Sequence, residues 1–126
     1  MLISNNRKLK EIQTDFRRLF PNLKIEFYSD HHDVGEGSSF GSRLDPEATI
    51  GQVRKEGSEG DLRIHSKMKV STFEGRIYQR FGLNVQVFRK SGNLWMQTTS
   101  TDHWTLAQQN RKGGSSILHY EEKYNN

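Results

Sequence analysis

The side chains best suited to chemistry are gathered in one glycine-rich stretch of the sequence. It reads Asp30-His31-His32-Asp33 and carries Glu36 three residues later. Imidazole and carboxylate groups are suitable ligands for zinc and similar ions. Adjacent residues do not easily converge on one ion, however, and the chain contains no HExxH helical spacing. We therefore expect a solvated loop with no bound metal.

The same stretch contains three glycines, Gly35, Gly37 and Gly41, that resemble a phosphate-binding loop. Their spacing fits neither the GxGxxG nor the GxxxxGK(S/T) pattern, and the residues Leu44-Asp45-Pro46 do not continue as a helix. The sequence therefore predicts a flexible loop here, and we expect no cofactor.

The sequence lacks the motifs that are typical of nucleophilic and acid–base catalysis. The chain has five histidines and no cysteine, which excludes disulfides and thiolate metal sites. The GxSxG turn of serine hydrolases is absent. His65 and His103 could act as general bases only if a pocket surrounded them. We therefore expect a protein that is not an enzyme.

The elements that would position these groups follow from hydrophobic periodicity. Apolar residues recur at helical spacing from Leu9 to Phe20 and predict an amphipathic helix. Pro21 cannot continue this helix. Alternating apolar and polar residues from Leu23 to Tyr28 then predict a half-buried strand.

A second helix is predicted over residues 70–81, where apolar residues again recur at helical spacing. Ser71 and Glu74 have the spacing of a capping box at its start. Gly82 suits its end, because glycine readily adopts the left-handed conformation that closes many helices.

The elements of the two halves match in order, which predicts an internal repeat with a spacing of about sixty residues. A strand over 83–88 follows the second helix, and short strand candidates at Met1 to Ser4 and Leu62 to His65 precede the helices. Chance similarity between two amphipathic units is the alternative. The matching positions are Leu9 with Val70, Ile12 with Phe73, Phe16 with Ile77, Phe20 with Phe81, Leu23 with Leu83, Ile25 with Val85, and Phe27 with Val87.

A β-hairpin extends the second unit. Ser91-Gly92 is a suitable two-residue turn, and Leu94 to Ser100 can return antiparallel. The register that follows from this turn pairs Phe88 with Trp95, Val87 with Met96, and Val85 with Thr98.

We predict an α+β fold with a two-layer, split β-α-β (ferredoxin-like) sheet and both main helices on one face. A β-grasp-like sheet built on the second unit is the alternative. Residues 1–112 would form a single domain with a loop insertion over residues 30–60, followed by a flexible tail over residues 113–126. Two further capping boxes predict short helices that begin near Thr49 and Thr105.

Strand alternation also predicts one open face of the sheet, where basic and aromatic side chains would form a binding surface. RNA-binding sheets use such a face, with bases stacked on aromatic rings, but the RNP1 pattern is absent. Alternatively, the C-terminal segment with Trp104 and Leu106, or a second copy of the chain, covers this face. The candidate binding residues are Lys24, Tyr28, Arg63, His65, Phe88 and Trp95.

Charge is distributed unevenly along the chain, whose net charge is +4. Residues 1–29 contain six basic and three acidic residues, residues 30–60 three and seven, and residues 61–92 seven and two. Two basic units thus flank an acidic insert, and a basic face can attract phosphate groups. The simpler interpretation is a charged surface that keeps the protein soluble.

The run FGLNVQVFRKSGNLWMQTTSTDHWTLAQQN, from Phe81 to Asn110, resembles a stretch found in a family of small uncharacterised bacterial proteins. It covers about a quarter of the chain. That family has no established activity, so the resemblance implies neither a substrate nor a catalytic residue.

The function that we expect is that of a non-enzymatic binding or interaction module, with another protein or a second copy of the chain as its partner. The alternative is single-stranded nucleic-acid binding through the aromatic and basic sheet face. The N-terminus lacks the apolar stretch of a signal peptide, and no run reaches membrane-spanning length. We therefore expect a cytoplasmic location and no membrane partner.

Overall fold

The computed structural model describes residues 1–31 and 33–124, and the chain is an α+β protein, as predicted. Its strands are β1 (Leu2–Ile3), β2 (Leu23–Tyr28), β3 (Gly60–Asp61), β4 (Asn84–Ser91) and β5 (Leu94–Gln97). Its helices are α1 (Leu9–Leu19), α2 (Ile50–Val53), α3 (Val70–Phe81) and α4 (Leu106–Tyr124), with single 3-10 turns at Phe40–Ser42 and Thr99–Thr101.

The described strands form two antiparallel sheets. β4 lies between β2 and β5 in a three-stranded sheet, whereas β1 pairs with β3 in a two-stranded one. The order of a ferredoxin-like or β-grasp-like sheet is not confirmed, because the strands it would need are divided between these two sheets. β3 also lies before the predicted strand at Leu62, whose side chain is buried in the core instead.

One hydrophobic core joins the two halves of the chain. α1 and α3 carry apolar residues at every third or fourth position, so one stripe of each helix is buried. The rings of Phe16 and Phe73 lie 5.0 Å apart where the two helices meet. The sheet adds Ile25 and Val87, which lie opposite each other on β2 and β4. Each such side chain stabilises the fold by about 1.5–3 kcal/mol when it is fully buried.

Glu74 does not form the predicted capping box with Ser71. α3 begins at Val70, and Glu74 turns inward, where its Oε2 accepts a hydrogen bond from the Val87 N–H at 2.9 Å. This N–H lies just beyond the last residue pair between β4 and β5, so the carboxylate satisfies a backbone donor that the sheet leaves free. At the other end, Gly82 closes the helix in the left-handed conformation, with φ 67°.

The starts of the helices are tied together in pairs, α1 with α2 and α3 with α4. The N–H group of the first residue of each helix donates to a backbone carbonyl just before the partner helix, and the two halves use equivalent bonds. The four bonds, each of 2.9 or 3.0 Å, join Leu9 to Ala48, Ile50 to Arg7, Val70 to Trp104, and Leu106 to Met68.

Capping boxes begin both α2 and α4, as predicted. The Thr49 hydroxyl accepts the Gln52 N–H at 3.3 Å, and Gln52 Oε1 accepts the Thr49 N–H at 2.9 Å. Thr105 and Gln108 make the same two bonds at 3.1 and 2.8 Å. Each box satisfies two backbone donors that the first turn of a helix cannot pair.

Residues 113–124 form the second half of α4 rather than the flexible tail that we predicted. Gly113 is buried against the turn after α1, where an added Cβ would lie 3.0 Å from the carbonyl oxygen of Asn22. Asn110 also binds this turn, because its Oδ1 accepts the Asn22 N–H at 2.9 Å. The glycines therefore permit close packing of the helix. The last two residues of the predicted tail lie outside the described residues.

The hairpin between β4 and β5 turns one residue later than predicted. Gly92-Asn93 forms the two-residue turn, and Gly92 has φ 62°, which glycine adopts without steric cost. Phe88 is consequently paired with Gln97 instead of Trp95, whose partner is Lys90, and Met96 is paired with Arg89 instead of Val87. Thr98, which we expected opposite Val85, lies just beyond β5, and its N–H donates to the Val87 carbonyl at 3.2 Å. A shift of two residues preserves the side of the sheet, so Phe88 and Trp95 stay on one face.

Alanine at two glycines, one within α3 and one directly after it, should change stability in opposite directions. Gly82→Ala forces a left-handed conformation on a residue with a Cβ and brings that Cβ against the Glu56 carbonyl oxygen, so we expect a loss of more than about 2 kcal/mol. Gly75→Ala meets no heavy atom within 4 Å, so we expect a gain of about 0.5–1 kcal/mol. Urea unfolding measures both changes, and a loss in both variants would contradict these helix boundaries.

Candidate functional site

Trp95 on β5 collects three cationic side chains around its ring. Lys90 is its cross-strand partner on β4, Lys24 comes from β2, and Arg17 comes from the exposed side of α1. The ammonium nitrogens of Lys90 and Lys24 lie 4.8 and 5.2 Å from the ring centroid, and the Arg17 guanidinium carbon lies 5.1 Å from it. Each exposed cation at this distance is attracted to the indole by about 0.5–1 kcal/mol. We call these four residues the tryptophan cluster.

Of the three aromatic side chains predicted on this face, only that of Trp95 keeps an accessible ring. Phe88 lies beneath the cluster, paired with Lys24, whose ammonium nitrogen is 5.2 Å from its ring. Phe88 is 7% exposed and Tyr28 only 1%. Phe88 and Tyr28 are therefore covered, as in the alternative to an open face, and they offer no surface for stacking.

The segment that covers this face comes from the insertion, not from the C-terminal part of the chain. The Ser38 N–H donates to Gln97 Oε1 at 3.0 Å, and Gln97 Nε2 donates back to the Ser38 carbonyl at 2.9 Å. Trp104 and Leu106, which we expected here, lie on the opposite side of the sheet. There Leu106 joins the core, and the Arg89 guanidinium stands 5.6 Å from the centre of the Trp104 ring.

Tyr28 is sealed under the insertion, where it pairs with Arg43 in a single β-bridge. Burial raises the pKa of the Tyr28 phenol above its ordinary value, and the nearby Arg43 opposes this shift. The hydroxyl makes no hydrogen bond of good geometry to a described residue, and Arg43 is the polar side chain that interacts with it. A buried donor without a well-placed partner costs about 1–3 kcal/mol.

The remaining two predicted binding residues, Arg63 and His65, lie outside the three-stranded sheet. They belong to the exposed segment after β3, and Arg63 lines a separate groove of about 490 Å³ with Arg76 and Arg80 of α3. Of the six predicted binding residues, the structure therefore brings together Lys24, Phe88 and Trp95.

A groove of about 620 Å³ runs between α1 and β2, beside the tryptophan cluster. We call it the α1–β2 groove. Arg17 and Lys24 belong to both features. At its floor, Gln13 Nε2 donates to the Ile25 carbonyl and to Glu26 Oε2, both at 3.0 Å. Gln13 thereby holds the helix against the edge of the sheet and keeps the groove in shape.

The α1–β2 groove is basic. Lys24 pairs with Glu26 at 3.3 Å, and Lys10 with Glu47 at 2.7 Å, a hydrogen bond that raises the pKa of Lys10. Within the described part of the chain, neither arginine of the groove makes an ion pair. The charged residues that line it are Lys10, Arg17, Arg18, Lys24 and Glu26.

The predicted site residues did not include Arg17, Arg18 or Lys90. Lys90 lies two residues after Phe88, so strand alternation carried further along β4 would have placed it on this face. The two arginines show in the sequence only as part of the polar side of α1. Their contact with the cluster depends on how α1 lies against β2, which periodicity does not specify.

A second and narrower pocket, of about 210 Å³, lies between α3 and β4. We call it the α3–β4 pocket. Glu74 and Asp102 line it and are almost fully buried. Asp102 Oδ2 accepts the Gly35 N–H at 2.8 Å, and His31 stacks on Tyr78 with ring centroids 3.7 Å apart. The beginning of the insertion therefore forms a roof over this acidic pocket.

The histidine-rich run does not assemble a metal site among the described residues, where no three histidine or carboxylate side chains are placed to hold an ion. His31 Nε2 lies 3.8 Å from Asp33 Oδ1, and His32 is outside the described residues.

The described helices include none that combines the length and the apolar character needed to cross a bilayer.

The chain matches no known family model, no curated protein and no solved structure. The resemblance of residues 81–110 to small bacterial proteins therefore stays untested. Geometry and charge are the remaining basis for a functional inference.

Replacing Tyr28 with phenylalanine should leave the free energy of unfolding unchanged, or raise it by up to about 1 kcal/mol. The exchange keeps the buried ring and removes a hydroxyl without a well-placed partner. The raised pKa also has a consequence at alkaline pH. Below about pH 10 the neutral Tyr28 favours the folded state, and this contribution is lost as the pH rises through its folded pKa.

Urea unfolding and tyrosinate absorbance between about pH 8 and pH 11 test this prediction. The wild-type protein should lose stability more steeply than Tyr28→Phe above pH 10, and the last tyrosine to ionise should be missing in the variant. A loss of more than about 1 kcal/mol at pH 8 in the variant would show that the hydroxyl has a stabilising partner.

Proposed function

We propose that this chain is a non-enzymatic binding module that recognises a negatively charged partner through the tryptophan cluster and the α1–β2 groove. One observation carries this proposal. Three cationic groups lie within 5.2 Å of the centre of one accessible indole ring, and neither Arg17 nor Lys90 makes an ion pair among the described residues.

The arrangement concentrates positive potential at one place on the surface. Like charges repel one another, and here the attraction of each cation to the Trp95 ring offsets that repulsion. Arg18 and Lys10 extend the positive surface along the groove. Such a surface attracts anions and accelerates their association, and it loses this effect as salt is added.

A partner protein fits this surface better than single-stranded nucleic acid does. Proteins that bind single-stranded nucleic acid without sequence preference stack successive bases on several aromatic side chains. Here Phe88 and Tyr28 are buried, so Trp95 is the one ring of the predicted three that is accessible. Cationic groups also lie close to its ring, where a base would have to stack. Nucleic acid remains the second candidate because cations accompany an accessible aromatic ring.

We further propose that the two halves derive from one duplicated unit. The equivalent hydrogen bonds at the helix starts and the two capping boxes support this. Gly57 and Gly113 support it too, because each lies seven residues after the start of its helix, and both approach the turn that ends α3 or α1. Glu26 and Gln86, which occupy matching positions, are direct cross-strand partners.

Removing the charges of the tryptophan cluster should weaken the binding of anionic polymers. In the triple variant Arg17→Gln, Lys24→Gln, Lys90→Gln, we expect the affinity for poly-L-glutamate to fall about tenfold, since each exposed pair contributes about 0.2–1 kcal/mol. Tryptophan fluorescence at low and moderate salt measures the affinity, with oligo(dT) as a parallel probe.

The matched control is the triple variant Lys55→Gln, Lys67→Gln, Arg111→Gln, which lowers the net charge equally at exposed positions outside the cluster. It should bind like the wild-type protein. Equal losses in both triple variants would show that net charge alone is responsible, which would refute the cluster as the site. Preferential binding of oligo(dT) over poly-L-glutamate would select the second candidate.

A further inference from the structure

The α1–β2 groove and the α3–β4 pocket occupy matching places in the two halves. In the alignment that matches Leu9 with Val70 and Leu23 with Leu83, seven residues that line the groove match seven that line the pocket. Both are therefore versions of one helix–strand groove. These matches include Gln13 with Glu74, Thr14 with Gly75, Arg17 with Tyr78, and Lys24 with Asn84.

In the second half, this groove is covered by a stretch of the chain itself. Residues 29–31 and 33–35 lie along it, and the covering segment is held at three points. Asn84 Nδ2 donates to the Ser29 carbonyl at 3.3 Å, the Tyr78 ring stacks on His31, and Asp102 Oδ2 accepts the Gly35 N–H at 2.8 Å. The groove thus contacts Ser29, His31 and Gly35 through two polar groups and one flat ring.

In the first half, the matching positions are basic and open. Lys24 and Arg17 replace Asn84 and Tyr78, and the residues that line the groove come from α1, β2 and the turn between them. Arg17 is exposed, and Lys24 is half-buried. The α1–β2 groove therefore occupies the position that holds chain in the other half, with different chemistry at the contact points.

The charges of the two grooves have opposite signs. Apart from the segment that covers it, the α3–β4 pocket is lined by two acidic residues, Glu74 and Asp102, with no lysine or arginine. The α1–β2 groove has four basic residues against one acidic residue. Carboxylates therefore suit the α1–β2 groove, whose basic residues outnumber its single acidic one.

We propose that the α1–β2 groove binds an acidic segment of a partner protein, seated in the position that residues 29–31 and 33–35 take on the α3–β4 pocket. This inference rests on the proposed function and adds the chemistry of the ligand. Carboxylates along such a segment would reach Lys24, Arg17 and Arg18. The side chain of Thr14, which matches Gly75, lies at the groove wall between α1 and β2.

A steric variant separates this groove from the charge of the surface. Thr14 is exposed, so Thr14→Trp should fill the groove without changing any charge. The probe is a fluorescein-labelled decapeptide of alternating aspartate and serine, and its counterpart carries asparagine in place of aspartate. We expect the aspartate peptide to bind wild-type protein at least tenfold more tightly than the asparagine peptide does, and Thr14→Trp to weaken it at least tenfold.

Thr72→Trp is the matched control, because Thr72 is an exposed threonine on α3 that lines neither groove. It should bind the aspartate peptide like the wild-type protein. Backbone amide shifts of the wild-type protein with the peptide provide a second measurement that needs no variant. The largest shifts should fall on residues 10–26, and shifts confined to other residues would refute the proposal.

The other outcomes distinguish two claims, which are that the cluster and groove bind an anionic partner and that this partner is an acidic peptide seated in the groove. If the triple variant Arg17→Gln, Lys24→Gln, Lys90→Gln weakens peptide binding but Thr14→Trp does not, the groove is not the binding site, and only the proposed function survives. If oligo(dT) binds and is blocked by Thr14→Trp while the aspartate peptide does not bind, the acidic peptide is refuted in favour of nucleic acid. A concentration-dependent dimer that Thr14→Trp abolishes would refute a partner protein in favour of a second copy. Failure of every anionic probe would refute both claims.

Discussion

The pairing of β2 with β4 is the contact on which the rest of the structure depends. It joins the two halves through six consecutive residue pairs and places Ile25 opposite Val87 in the core. Glu26 and Gln86, which are equivalent residues in the alignment of the two halves, are paired directly with each other, so the pairs on either side are related by the same alignment. The same pairing puts Lys24 beside Phe88, from where it reaches the ring of Trp95 on the next strand. A slip of one residue would turn Lys24 into the core and destroy both features.

The two halves share a scaffold and differ in what their grooves carry. Gln13 on α1 and Glu74 on α3 occupy matching positions, and each binds the backbone of a sheet strand. The carboxylate of Glu74 accepts a backbone N–H in a roofed acidic pocket, whereas the amide of Gln13 donates to a carbonyl in an open basic groove. One helix–strand arrangement thus provides a covered site in the second half and an accessible site in the first.

Hydrophobic periodicity is sufficient to predict α1, α3, β2 and most of β4, because their burial patterns repeat with the period of each element. Local hydrogen-bonding patterns can also be predicted from the sequence, as the capping boxes at Thr49 and Thr105 show. The register of the hairpin is harder to predict, because Ser91-Gly92 and Gly92-Asn93 are both acceptable two-residue turns and differ by one residue.

Features set by packing are not predictable in this way. Gly113 resembles a linker residue in the sequence, yet it is buried where the helix crosses Asn22. Ser38 belongs to a stretch that reads as loop, yet it hydrogen-bonds to Gln97 and helps to cover the sheet face. The approach of Arg17 to Trp95 depends likewise on the position of α1 beside β2. Each case depends on a long-range contact that no local pattern encodes.

The central claim is that the cationic side chains around Trp95 give its ring a net positive potential, and ionic quenching of its fluorescence tests this most directly. The chain has two tryptophans, so Trp104→Phe leaves Trp95 as the sole emitter. Our account predicts that at low salt the ratio of iodide quenching to caesium quenching is several-fold higher for Trp95 than for the uncharged reference N-acetyltryptophanamide, and that this excess shrinks as sodium chloride screens the charges. The same ratio for Trp95 and the reference at low salt would contradict the account, because it would mean that the ring experiences no net positive potential.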